Sequence, residues 1–454
     1  MLSEIKYILK GKRILVLGYG REGKSTAGHL RRWFPEMHFT VADQQEDTLK
    51  DLDDENISRI SGAGHLAACS GFDLIIKSPG IPFETVAAYC DAAAITSQTD
   101  LFLKAYGKRV IGVTGTKGKS TTTTLIHHIL LSAGKDALLA GNIGIPSLDL
   151  AEKIGPDSIV VFEMSSHQLE HISIAPHIAV ILNVFPEHLD YYRDFTAYKM
   201  AKFNISLKQA DGGSLVYNMD DPLVTELVHE KAKEKKVLPF SLENPSARAY
   251  IENNILKCVV DEGRIEEFPM ELAVELPGKH NGMNLMAAIL VCLESGISPE
   301  VITSALLSYR RPEHRLEFVG KFSGINFYND SIATIPEASI AALDTLGKVD
   351  LLILGGYDRH LEYGKLYRRL KEGKTPWLVF MGDAGKRMYR EWVDITGNSE
   401  RVSLVESMEH AFRVIGEVLV NGDVCLLSPA AASYGMFRNF EERGEVYKKM
   451  AAAL

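Results

Sequence analysis

This chain of 454 residues has little cysteine and few aromatics: five cysteines, three tryptophans, and 8% aromatic residues in all. Cys69, Cys90, Cys258, Cys292 and Cys425 stand far apart and form no C-x-x-C pair, so they predict free, buried or half-buried thiols in a reducing compartment. Long apolar runs are missing too. None approaches the roughly 20 residues that a membrane span needs. The opening MLSEIKYILKGKRILVLG has no apolar stretch followed by a small-residue cleavage site and runs directly into a strand pattern, so a cytoplasmic chain is expected. An excess of positive charge is also absent. Fifty Lys and Arg face 59 Asp and Glu, a net charge of −9, which leaves no general attraction for nucleic acid or anionic lipid. No collagen period, heptad, low-complexity tract or 20–50-residue repeat occurs. What remains is ordinary globular composition, 46% hydrophobic and 24% charged. At roughly 150 residues per domain, the length allows about three domains.

Short apolar runs alternate with amphipathic stretches, the pattern of a parallel α/β sheet. Residues 13–17, 39–42 and 74–77 read as buried strands, with a helix in STAGHLRRWF between the first two. A second block opens at Lys108, with strands at 109–113, 158–162, 178–183 and 214–218 and helices at 284–293 and 299–308. Residues 245–275 alternate differently, like a small antiparallel insert. A third block opens near Pro312, with strands at 325–329, 350–354, 378–381 and 424–427. The expected divisions are 1–107, 108–311 and 312–454.

Two glycine loops carry the chemistry. Gly18-Tyr19-Gly20-Arg21-Glu22-Gly23 satisfies G-x-G-x-x-G between a strand and a helix, and Asp43 ends the next strand. Glycine permits close backbone approach, and a helix N-terminus offers amide donors and a positive dipole end to phosphate. The pattern points to a nucleoside diphosphate without specifying NAD. Asp43 would bond a ribose hydroxyl or another donor, and Ser78-Pro79-Gly80 lies at the same sheet end. The second loop, Thr114-Gly115-Thr116-Lys117-Gly118-Lys119-Ser120-Thr121, also joins a strand to a helix. It is a short P-loop variant, with Val113 where the strict Walker pattern has glycine. Its amides would cradle phosphate, Lys119 would reach the β- and γ-phosphates, and Ser120 or Thr121 would ligate Mg²⁺. Glu163, after a neighbouring strand, is placed to be the metal carboxylate. His167 and His171 are spaced i, i+4, but HQLEH offers no third ligand, so they read as polar surface or supporting residues. His188 falls where an active-site loop would be. Lys202, on a helix, reads by itself as a solvated charge.

GVTGTKGKSTTTTL, GNIG at 141–144, VFEMSSHQLE, NVFPEHLDYY, YKMAKFNI, GKHNGMN, PEHRLE, NDSIAT, LGGYD and SPAAASYGMFRNFEERG follow one another in this order, and together they resemble the Mur ligase family over essentially the whole chain. The resemblance implies three α/β domains: a Rossmann-like UDP-binding domain, a central P-loop ATPase domain, and a C-terminal Rossmann-like domain for ATP and amino acid. It implies an ATP-dependent ligase of peptidoglycan precursor synthesis that adds glutamate to UDP-N-acetylmuramoyl-L-alanine. By the same resemblance Gly18, Tyr19, Gly20, Arg21, Asp43, Ser78, Pro79, Gly80 and Asn142 serve the UDP substrate. Gly115, Thr116, Lys117, Gly118, Lys119, Ser120, Thr121, Asn284, Arg315 and Asp330 serve ATP. Glu163 and His188 match ligands of two Mg²⁺ ions, with Ser120 at the first, and Lys202 matches a lysine that becomes a carbamate. Thr334, Arg359, His360, Ser433 and Phe440 fall at the glutamate site. Two departures stand out: Ile332 replaces a lysine, and Tyr357-Asp358-Arg359-His360 replaces the segment holding the lysine for the glutamate carboxylate. An Arg fork suits that carboxylate. Addition of L-glutamate stays open beside D-glutamate. So do a folylpolyglutamate synthase-like ligase, which the first glycine loop argues against, and an NAD-dependent dehydrogenase. A monomer without nucleic-acid or membrane partners is expected.

Overall fold

In a computed structural model that describes all residues except 1, 51, 142–144, 189–190, 233–234, 262, 273–278, 311–312, 373 and 398–399, the strands gather into three sheets. The chain divides into two compact units, Met1–Tyr309 and Arg310–Leu454. The first unit carries two of the sheets. One is wholly parallel, in the order Ile57–Ser61, Phe39–Asp43, Ile14–Leu17, Leu74–Lys77, Ile95–Ser97. The other has nine strands. Its parallel heart is Lys236–Phe240, Ser214–Asn218, Ile178–Ile181, Val110–Thr114, Ile159–Glu163 and Ala137–Gly141.

The near-continuous apolar runs of these central strands have a direct physical reason. Alternate side chains enter two different cores, so both faces of each strand are buried. Val160, Phe162, Ala179 and Ile181 pack with Tyr198 and Phe203 of the helix Phe195–Leu207. Val161, Ile178 and Val180 pack with Leu125 and Ile129 of the helix Lys119–Ser132 and with Leu285 and Ile289 of the helix Lys279–Glu294.

Residues 245–275 do contain antiparallel strands, Ala249–Glu252, Ile255–Asp261 and Arg264–Pro269. They are not a separate insert. Ala249 pairs in parallel with Phe240, so the three strands extend the central sheet, and Leu256, Cys258 and Phe268 enter the core that holds Leu285. The second unit has a six-stranded sheet, in the order Glu317–Phe322, Ile325–Asn329, Val424–Leu427, Leu351–Gly355, Trp377–Met381, Val402–Val405, parallel except for its first pair. The five cysteines are free. Burial pushes the Cys69 thiol up to about 11 and Cys425 up to about 12. Among the described residues, no helix is long and apolar enough to cross a membrane.

Candidate active site

The P-loop joins the strand Val110–Thr114 to the helix Lys119–Ser132. Gly118 is the helix N-cap with φ +86°, and a Cβ there would run into Asn284 Oδ1. Only glycine therefore lets the turn close against the buried Asn284. The loop is fastened from the segment after the neighbouring strand Ile178–Ile181. Thr116 N donates to Asn183 O (3.0 Å), Lys117 N to Asn183 Oδ1 (2.8 Å), and Asn183 Nδ2 returns a bond to Lys117 O (3.0 Å). Phe185 N donates to Thr116 Oγ1 (3.0 Å), which also lies 3.0 Å from the Tyr198 hydroxyl.

Two lysines converge on this loop. Lys119 Nζ donates to Gly115 O (2.8 Å) and Thr116 O (2.9 Å), and Lys202 Nζ donates to the same Gly115 O (2.9 Å). Lys202 is 3% exposed, which overturns its reading as a solvated helix charge. Its ammonium lies 4.9 Å from the Tyr198 ring centroid, and among the described residues no carboxylate is within ion-pair distance of it. Burial first, and then the neighbouring Lys119, hold the Lys202 amine well below the usual lysine range. Burial also lowers Lys119, opposed by the charges of Glu163 and Glu187.

Glu163 is the buried last residue of its strand and pairs in register with Val113, the residue before the loop. Its register brings a carboxylate to the P-loop without any long connection. Ser120 and Thr121 occupy the first turn of the following helix, half-buried. His188 has φ +56°, and its Nε2 lies 3.7 Å from Glu187, whose other oxygen is 3.5 Å from Lys117 Nζ. His167 and His171 are half-buried rather than on the surface. His171 stacks on Phe83 at 3.9 Å, and His167 stands edge-on to Tyr191 at 4.2 Å and to His188 at 4.8 Å.

The first glycine loop is tight. A Cβ on Gly23 would strike Gly18 O, and Ser78 Oγ donates to that same oxygen (2.9 Å). Asp43 accepts from Tyr19 N (2.7 Å) and Gln45 N (2.9 Å), so its carboxylate braces the loop itself. Arg21 is exposed in the first turn of the helix Arg21–Trp33. Gly20 is its N-cap, and no side chain within 4 Å crowds it. Pro79 O accepts from the Tyr191 hydroxyl (2.9 Å), while Gly80 is exposed. Asn142 lies outside the described residues.

Sequence reasoning missed the braces between the two sheets of this unit. Lys77, 3% exposed, donates to Ile81 O (2.9 Å) and lies 3.2 Å from Glu170, which also accepts from Tyr191 (2.9 Å) and Phe83 N (3.1 Å). Glu22 accepts from Gln168 Nε2 (2.8 Å). In LIIK the lysine reads as a strand-end charge, and no local pattern announces its distant partner.

In the second unit, Asp330 and Thr334, Ser433, and Arg359 and His360 lie on loops after three neighbouring strands, Ile325–Asn329, Val424–Leu427 and Leu351–Gly355, while Arg315 precedes the strand Glu317–Phe322. Crevices at the carboxyl ends of parallel strands are where open α/β sheets bind ligands. Asp330 accepts from Leu316 N (3.0 Å) and Ser428 Oγ (2.7 Å), and burial pushes its carboxyl up to about 6. Arg315, half-buried, opposes that rise with its charge. Arg443 is fully buried, donates to Ser331 Oγ, Ser331 O and Ala431 O, and is lowered by burial to about 9. Ser433 is buried, Phe440 opens the last helix with its carbonyl on Ser331 Oγ (2.8 Å), and Thr334 O accepts from Arg359 Nη2 (2.9 Å). His360 has φ +56° and a side chain 85% exposed. Ile332 N donates to His314 O (3.1 Å).

Known proteins resemble this chain along its length. Residues 113–292 match the Mur ligase middle domain, and residues 314–431 match the family described as Mur ligase, glutamate ligase domain. A UDP-N-acetylmuramoylalanine--D-glutamate ligase from Acetivibrio thermocellus is 33% identical over 466 residues, covering 100% of this chain and 99% of the relative. One from Caldanaerobacter subterraneus is 35% identical, covering 97% and 98%. Among solved structures, a murein peptide ligase from Psychrobacter arcticus has a TM-score of 0.53 at 17% identity, covering 98% of this chain and 99% of that one. MurF ligase from Thermotoga maritima, in complex with ADP, has a TM-score of 0.51 at 17% identity, covering 98% and 96%. The solved structures speak for the mixed α/β fold, and the full-length sequence relatives decide the descent: the chain belongs to the Mur ligase family.

Proposed function

We propose that this chain joins D-glutamate to UDP-N-acetylmuramoyl-L-alanine at the expense of ATP, in peptidoglycan precursor synthesis. The observation that carries the reading is the P-loop with Lys119, Lys202 and Glu163 gathered around it, in a chain that full-length D-glutamate ligases match at more than 30% identity. The three sheets correspond in this proposal to three domains, 1–107 for UDP, 108–311 as the central P-loop ATPase domain and 312–454 for ATP and glutamate. The UDP site is Gly18, Tyr19, Gly20, Arg21, Asp43, Ser78, Pro79, Gly80 and Asn142. The loop from Gly115 to Thr121 and Asn284 are the ATP-binding residues proposed in the first unit, and Arg315 and Asp330 those proposed in the second.

The substrate carboxylate attacks the γ-phosphorus of ATP, forming an acyl phosphate and releasing ADP. A carboxylate is a poor electrophile, and this step supplies the leaving group. The glutamate amine then attacks the acyl carbon and phosphate departs. Lys119 now spends its donors on two loop carbonyls, and a polyphosphate in the loop offers its ammonium a stronger, charged acceptor. The loop amides and the dipole of the helix Lys119–Ser132 face the same charge.

The carboxylate of Glu163 and the hydroxyl of Ser120 are hard oxygen donors beside a glycine cradle, a set that fits Mg²⁺. His188 and Lys202 complete a second site in this proposal. When bound, Mg²⁺ supplies charge neutralisation at the phosphates. Lys202 meets the chemical requirement for carbamate formation. Its amine is held toward the neutral form, so nitrogen attacks CO₂, a C–N bond forms and a proton is released to solvent. Thr334, Arg359, His360, Ser433 and Phe440 receive glutamate.

The test is phosphate release with UDP-N-acetylmuramoyl-L-alanine, ATP and Mg²⁺, with D-glutamate, L-glutamate or other amino acids as acceptor. D-glutamate-dependent release is expected. Release with L-glutamate only would assign the chain to the L-glutamate-adding branch, and release with neither would overturn the reading.

A further inference from the structure

Two arginines meet at the loop after the strand Leu351–Gly355, and their surroundings differ sharply. Arg387, on the helix Gly382–Thr396, has four of its five N–H donors engaged. It forks onto Asp358, Nε to Oδ2 at 2.8 Å and Nη2 to Oδ1 at 2.9 Å, and also donates to Leu361 O (2.9 Å) and Glu391 (2.7 Å). Its guanidinium lies 4.9 Å from the Tyr363 ring centroid. Asp358 is held below the usual carboxylate range, chiefly by its hydrogen bonds from Arg387, and it also accepts from His360 N (2.8 Å). Tyr357 N is tied to Ala432 O (2.8 Å), and Ala384 N to Gly356 O (2.9 Å). The loop is therefore pinned before, at and after Asp358.

Arg359 lies between these pins and is in the opposite state. Among the described residues its side chain makes one hydrogen bond, Nη2 to Thr334 O at 2.9 Å, and no carboxylate is within ion-pair distance of it. Thr334 belongs to the loop after Ile325–Asn329, so Arg359 bridges two loops at the carboxyl ends of the strands, where such sheets bind ligands, with donors to spare. His360 does not compete for this role. Its positive φ and its bond to Asp358 are part of the turn, and its ring points into solvent, 85% exposed.

We propose that Asp358 and Arg387 are positioning residues that hold Arg359 over the crevice, where its free guanidinium edge takes the side-chain carboxylate of a dicarboxylic amino acid. This rests on the glutamate-ligase reading above and deepens it. The logic is one of charge allocation. Without Asp358, Arg387 and Arg359 would be like charges near one loop. With it, one guanidinium is neutralised in place and the other is left for substrate. A lysine at 387 cannot reproduce a two-pronged grip on Asp358, so the anchor is specific to arginine.

The test is initial-rate kinetics of the full chain with UDP-N-acetylmuramoyl-L-alanine, ATP, Mg²⁺ and glutamate, with thermal melting of each variant. Arg359→Ala, Asp358→Asn and Arg387→Lys are each expected to raise the glutamate KM by about ten- to a hundredfold, the range of a charged hydrogen bond, with the ATP KM within about twofold. Adding Asp358→Asn to Arg359→Ala should raise it no further, because Asp358 acts through Arg359. Should Asp358→Asn melt early, Arg387→Lys, which keeps the charge, carries the test. A glutamate KM unchanged in both Asp358→Asn and Arg387→Lys, or additive effects in the double variant, overturns the positioning role while leaving the ligase reading intact. An unchanged KM in Arg359→Ala overturns the glutamate site itself, and a wild-type chain inert with both glutamates overturns the ligase reading.

Discussion

Replacing Lys202 by methionine deletes a buried ammonium while keeping most of the side-chain volume. Lys202 Nζ has one carbonyl, Gly115 O at 2.9 Å, and the face of Tyr198, with Lys119 as a like-charged neighbour. The unfolded chain keeps this amine protonated up to its ordinary value of 10.5, whereas the folded chain releases the proton well below that. Between those two values the unfolded state binds more protons, so stability rises with pH. One proton gives a slope of at most about 1.4 kcal/mol per pH unit. The wild type should therefore gain on Lys202→Met by up to that amount per unit as pH climbs toward 10.5, and be the less stable of the two at the acidic end. The assay is urea unfolding from pH 6 to pH 10 in CO₂-free buffer, with Trp377 and Trp392 replaced by phenylalanine so that Trp33 reports on the first unit. A difference between wild type and variant that is flat with pH, or that moves against the wild type as pH rises, would refute the account of Lys202 as a buried, weakly partnered amine.

Lys119→Ala should abolish phosphate release without changing the melting temperature by more than a few degrees, checked by a coupled phosphate assay beside calorimetry. Gly118→Ala forces a positive φ on alanine and drives its Cβ into Asn284, so it should cost about 2 kcal/mol or more in stability and weaken ATP binding, read by denaturation and nucleotide titration. Asp330 is pushed up to about 6 from 3.8, so the folded state holds its proton longer than the unfolded chain. Relative to Asp330→Asn, the wild type should lose up to about 3 kcal/mol as pH rises from 4 through 6, and a pH-independent difference would contradict this. Tyr191→Phe removes a hydroxyl shared by Pro79, Ile81 and Glu170, and should raise the KM for the UDP substrate more than that for ATP in steady-state kinetics.

Much of this molecule is readable along the chain. The strands LIIK, SLVYN and VCLL have the bounds their apolar runs suggest, because burial on both faces leaves an uninterrupted signature. Ile57–Ser61 and Glu317–Phe322 escape that reading. Each is an edge strand with exposed positions, so backbone pairing holds it in place while its side chains look like loop. The 245–275 segment alternates as an antiparallel unit would, and only the pairing of Ala249 with Phe240 reveals that it prolongs the central sheet.

The two glycine loops, the strands that launch them and the order of motifs are written along the chain, because φ freedom, helix starts and apolar burial are local properties. The fate of the charges is set by long-range packing. Lys202 reads as an ordinary helix cation and nothing local marks Lys77, Arg387 or Arg443, yet in that order one is desolvated against a P-loop carbonyl, one is buried beside Glu170, one is spent on Asp358, and one is sunk among neutral acceptors. The free energy of a charge depends on the solvent it loses and the partners it gains. Those partners lie many residues away, so no window of sequence contains them.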